Sequence, residues 1–171
     1  IRWSYRLALF FLLAVPVAIP LFYLPLTTDF YQFNKLVLFY LLTGLGLLSW
    51  LIYSIAAKTV RLTLSPALLP MCVLAAAASV STWFNPPRTP EIWLNFSGIY
   101  LISLVYFLLI TTVVQNAPQV KTTLMLITGA VGAAALGGIL NFNPAGSGLN
   151  LVGLIVAWLP VSLTLALKTK S

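Results

Sequence analysis

The chain has 171 residues, of which 61% are hydrophobic and only 6% charged, with a mean hydropathy of +1.04. That leaves too little polar surface to coat a water-soluble globule, so the composition excludes a soluble domain and points to an integral membrane protein. The formal charge of +7 comes from nine Lys and Arg against Asp29 and Glu91; in such a chain a cationic surplus belongs to membrane-flanking loops, and no nucleic-acid partner is expected.

Six apolar runs predict an all-α, polytopic transmembrane helical bundle, a single domain over 1–171. The first span, residues 7–26, follows Arg2 and Arg6 and contains Pro16, Pro20 and Pro25. Each proline removes a backbone donor and should kink or break the helix. Lipid tolerates that only where neighbours or water satisfy the freed carbonyls, so this helix should be bent and packed against others. The prolines, and the lack of a small-residue cleavage site, argue against a signal peptide. A short loop over 27–34 holds Asp29, with Tyr23, Tyr31 and Phe33 suited to the interface.

The second span, 36–57, is a charge-free stretch between Lys35 and Lys58. At about 1.5 Å per residue it covers about 33 Å, the hydrocarbon thickness of a bilayer. Thr43, Ser49 and Ser54 are its clearly polar side chains and form no continuous face. Residues 58–66 make a basic connection. The third span, 67–83, carries Pro70 in its first turn, where proline costs least; its alanine run from Ala75 to Ala78, followed by Ser79, favours close packing on another helix.

Residues 85–97 are the longest polar break, with Arg88, Glu91 and three prolines. Residues 91–96 suit a position along the membrane surface with Trp93 and Phe96 buried. The fourth span is 98–114, closed by a short basic turn over 115–121. The fifth, 122–140, carries two ridges of small residues at helical spacing: Gly129, Ala133, Gly137 and Ala130, Ala134, Gly138. Such ridges serve internal packing or a dimer interface. Residues 141–150 form an uncharged loop, and the sixth span, 151–167, bends at Pro160 and ends at Lys168 and Lys170.

Six crossings put both termini on one side. That side collects Arg2, Arg6, Lys58, Arg61, Lys121, Lys168 and Lys170, whereas the other collects Lys35 and Arg88 with both acids. Cytoplasmic loops favour cations, so both termini are expected in the cytoplasm.

The inventory for chemistry is thin. There is no histidine, and the single cysteine, Cys72, precludes an intrachain disulfide. The commonest general base and transition-metal ligand are therefore missing, and no catalytic set, metal or cofactor is expected. Arg88 and Glu91, three residues apart, read either as a solvated pair or as part of a site in which Arg88 and Lys35 converge on an anionic group such as a lipid diphosphate. Asn141, Asn143, Ser147 and Asn150 suit either turn formation or contacts to a sugar. Residues 95–97 match an N-glycosylation acceptor, which matters only in a eukaryotic secretory pathway. No charge lies deep in any span, which disfavours ion-coupled transport.

The stretches NKLVLFYLLTGLGLLSWLIYSI (34–55), KTVRLTLSPALLP (58–70), STWFNPP (81–87) and FNPAGSGLNLVGLIVAWLPVSLTLAL (142–167) together resemble the amino-terminal half of bacterial O-antigen ligase and polymerase family membrane proteins. The resemblance implies a polytopic transferase of the bacterial cytoplasmic membrane. It would move a glycan from an undecaprenyl diphosphate carrier to an acceptor at the outer face, without a metal or a nucleotide sugar. The family's catalytic histidine lies in a large external loop that this sequence does not contain, so no catalytic residue transfers to it. The chain is accordingly expected to be part of a longer protein, supplying scaffold and part of a lipid-carrier groove. Membrane lipids and further helices of the same protein or complex are the other expected partners. The alternatives are a small non-catalytic membrane subunit of a larger complex and, third, half of a transporter.

Overall fold

The computed structural model describes residues 2–21, 32–85 and 97–139. Among these residues the fold is all-helical: α1 (Arg2–Leu21), α2 (Gln32–Ala57), α3 (Leu68–Phe84), α4 (Ile99–Val113) and α5 (Ala117–Ile139), with no strand. Three of the helices are long and apolar enough to cross a membrane, over Trp3–Leu21, Asn34–Ala57 and Ala117–Leu136, and this identifies a membrane protein. The other two are apolar but shorter, 17 residues in α3 and 15 in α4. At 1.5 Å per residue they reach about 25 and 23 Å, less than the roughly 30 Å hydrocarbon core. The sixth expected span lies outside the described residues.

Helix boundaries depart in places from the apolar runs, and at α5 hydrogen bonds at the helix start set the end. The clearest case is α5, which begins at Ala117 in the segment expected to be a basic turn. Asn116 caps it: the Gln119 side chain accepts from the Asn116 N–H at 3.4 Å, and the Val120 N–H donates to the Asn116 carbonyl at 3.0 Å. A polar cap followed three residues later by Gln is a helix-start pattern. Pro118 costs nothing there, because first-turn amides have no intrahelical acceptor to lose. The second helix starts at Gln32, earlier than the apolar run, and so takes Lys35 into its first turns.

Contacts divide the chain into two units. Unit 1 comprises Ile1–Leu12 and Tyr40–Gln115; unit 2 comprises Leu13–Phe39 and Asn116–Ser171, so α1 and α2 each contribute a segment to both. The core of unit 1 joins Ala8 and Leu12 of α1, Trp50 of α2, and Leu109 and Val113 of α4, with Tyr5, Leu47, Val105 and Tyr106 packed around them. Gly46 makes the α1–α2 approach possible. A Cβ there would lie 3.0 Å from Cδ2 and 3.2 Å from Cγ of Leu12, which is fully buried. The third helix packs on α4 through small residues, burying Ala75, Ala78 and Thr82 as its alanine run suggested. Its opposite surface exposes Val73, Leu74, Val80 and Trp83.

Two expectations about polar groups resolve differently. Pro16 and Pro20 do not break α1, which runs through both. Proline at 16 deprives the Leu12 carbonyl of its intrahelical donor, and in unit 1 the Tyr106 hydroxyl donates to that carbonyl at 3.2 Å. Pro25 lies outside the described residues. In α2, Thr43 and Ser54 share a stripe, since eleven residues make three turns and leave about 20° between them, while Ser49 lies off it, so the three form no continuous face. Both are buried, on the side that also buries Gly46 and Trp50. Several helix hydroxyls donate to the carbonyl four residues back, as in Ser79 to Ala75, Thr82 to Ala78 and Thr128 to Leu124. Among the described residues, Thr43 Oγ1 is buried without a hydrogen-bond partner.

Candidate functional site

Two features outside the cores offer surfaces for function, one in each unit. In unit 2, α1 and α5 form the walls of an open apolar groove of about 420 Å³. Val17 and Leu21, one turn apart on α1, form one wall. Thr122, Met125, Leu126, Gly129, Ala130 and Ala133 follow one another along α5 at spacings of one or three residues and form the other. The groove exists because small residues occupy its floor. A Cβ added at Gly129 would meet nothing within 4 Å, and Gly129 and Ala133 are exposed while Ala130 and Ala134 are buried. The two small-residue ridges of α5 therefore differ, one turned into unit 2 and one left open. Gly137 lies in the last turn of α5, and its surroundings fall outside the described residues.

In unit 1, three helix termini meet at one end. The Tyr5 hydroxyl of α1 donates to the Val113 carbonyl at the end of α4 (2.8 Å), and the Tyr5 ring stands 5.4 Å from that of Tyr53 near the end of α2. The cations Arg6, Lys58 and Arg61 sit on the segments that converge there, and all three are exposed. Lys58 ends α2 in a left-handed conformation, with φ at 52°. Its N–H donates to the Ile55 carbonyl (3.1 Å) and the Thr59 N–H to the Ser54 carbonyl (3.2 Å), a helix stop that usually employs glycine. The chain then crosses the end of the unit as a strap, 59–65, that is neither helix nor strand. Thr63 is clamped to the last turn of α4: its N–H donates to Thr112 Oγ1 (3.3 Å), its carbonyl accepts from Thr111 Oγ1 (3.4 Å), and its Oγ1 accepts from Gln115 Nε2 (3.0 Å).

Of the residues singled out from sequence, Lys35 is half-buried in the first turns of α2, already engages neighbouring groups, and does not line the groove. Arg88, Glu91, Asn141, Asn143 and Asn150 lie outside the described residues, as does the suggested convergence of Arg88 with Lys35. Gly129 and Ala133 come together on the groove. Among the described residues no three His, Cys, Asp or Glu side chains gather, and Cys72 is exposed on α3. Sequence reasoning missed the other wall of the groove, Val17 and Leu21, and the Thr63 clamp, because neither carries a local signal. The donor for Leu12 was foreshadowed, since a proline at 16 demands one. No family model, curated protein or solved structure matches the chain.

Proposed function

We propose that this chain is the membrane scaffold portion of an O-antigen ligase-like glycan transferase, working on an undecaprenyl diphosphate-linked glycan at the outer face of the bacterial cytoplasmic membrane. The observation that carries the proposal is the open groove of unit 2, whose apolar walls and small-residue floor suit an isoprenoid chain. The order of sequence features described above is its second support. In this proposal the chain makes six crossings with both termini in the cytoplasm, Arg88 and Lys35 hold the diphosphate, and the glycosyl-transfer chemistry comes from parts of the protein beyond these residues.

The complete reading frame, expressed with Gly129→Leu, tests it. The new side chain enters open space at its Cβ, so the helix is retained while the groove narrows. Glycan transfer should fall at least tenfold with membrane expression unchanged; unaltered transfer would refute the role of the groove. Arg88→Ala should reduce transfer in the same assay. A second reading, a non-catalytic subunit docking through α5, is favoured by the exposure of Gly129 and Ala133. Co-purification of a partner that Gly129→Leu abolishes, from a frame ending near Ser171, would select it.

A further inference from the structure

The strap between α2 and α3 alternates in a way that neither helix packing nor a simple turn requires. From Thr59 the sequence reads Thr-Val-Arg-Leu-Thr-Leu, apolar and polar residues in alternation. Thr63 is clamped against the last turn of α4, and its neighbours Leu62 and Leu64 are left exposed. Leu62 and Leu64 are 48% and 70% exposed and Val60 is 69% exposed, within a run from Lys58 to Leu64 that is exposed throughout. Three aliphatic side chains are thus exposed on a segment fixed at three atoms of Thr63. Lys58 precedes the row and Arg61 lies within it, both exposed, and no acidic residue lies anywhere among the described residues.

We propose that the strap is an interfacial anchor for an anionic lipid surface. Val60, Leu62 and Leu64 enter the outermost hydrocarbon, while Lys58 and Arg61 hold the phosphates of anionic headgroups. Placement argues for lipid as the occupant. The strap begins where α2, a helix long enough to span the bilayer, ends, so its apolar row stands at the level where hydrocarbon gives way to headgroups. Charge argues for anionic lipid, since each Lys or Arg near such a surface raises affinity roughly fivefold. Lys58 adds to this: a left-handed helix stop would be met at less cost by glycine, and lysine supplies the cation.

The test uses the full chain with Leu64→Cys in a Cys72→Ala background, labelled with an environment-sensitive fluorophore and reconstituted in vesicles of phosphatidylcholine with phosphatidylglycerol. Quenching by brominated phosphatidylglycerol should exceed quenching by brominated phosphatidylcholine. The Lys58→Gln/Arg61→Gln variant should bring the two close to parity while eluting like its parent. Equal quenching by both lipids in the parent protein would overturn the anionic preference. A label quenched by aqueous iodide and by neither lipid would place the row in water. A label shielded from iodide and from both lipids would assign the row to another polypeptide, and either result refutes the anchor.

Discussion

Replacing Tyr106 with Phe removes one oxygen and leaves the packing of the ring in unit 1 otherwise intact, which makes it a direct probe of how α1 tolerates a proline in its middle. The Tyr106 hydroxyl donates to the Leu12 carbonyl at 3.2 Å, the group that Pro16 leaves without an intrahelical donor. An unsatisfied carbonyl in apolar surroundings costs about 1–3 kcal/mol, while interhelical hydrogen bonds within membranes average about 0.6 and reach about 1.7 kcal/mol. The bond is on the long side, so about 1 kcal/mol is expected, roughly a fivefold change in the folding constant. The assay is denaturing-detergent titration of the purified protein in mixed micelles, read by helicity. The decisive arm is the Pro16→Ala background, in which the alanine N–H can again donate to Leu12. There Tyr106→Phe should cost less than about 0.3 kcal/mol, because the two sites are coupled through a single acceptor. An equal loss in both backgrounds, or no loss in either, would refute the account.

The same titration checks two further expectations. Gly46→Ala should destabilise by about 1–3 kcal/mol, because the added methyl meets a Leu12 side chain with no room to recede; Gly44→Ala, which meets nothing within 4 Å, should instead stabilise by up to about 1 kcal/mol. Thr43→Val replaces an unpartnered buried hydroxyl with a methyl of similar volume and should stabilise by about 1 kcal/mol. A loss in that variant would mean that the hydroxyl has a partner that matters.

The apolar runs announced the helices with little ambiguity, since a charge-free stretch as long as the bilayer is thick has few other uses. Their ends were less legible. At Asn116 the composition reads as a basic, proline-containing turn, yet the spacing from Asn116 to Gln119 was itself a cap signal, and it carried α5 back to Ala117. The candidate site was legible only in part. Gly129 and Ala133 were marked by their spacing, but nothing in a linear pattern distinguishes an inward ridge of small residues from an outward one. Helical periodicity fixes which residues share a stripe and leaves open which stripe meets a neighbour.

Solvation is the property that the amino-acid sequence determines by itself: with so few charged side chains, most of the helical surface is matched to hydrocarbon, and the exposed Trp3, Ile55, Leu69 and Trp83 carry that match outward. Partnership is what only the tertiary structure decides. That Tyr106 serves the carbonyl freed by Pro16, that Gly46 admits Leu12, and that Thr63 is clamped by Thr111, Thr112 and Gln115 all depend on contacts between residues far apart in sequence. The physical reason is that burial in lipid is a one-body property, readable residue by residue. Hydrogen bonds and close packing are pair properties, and a pair does not exist until the chain has brought its members together.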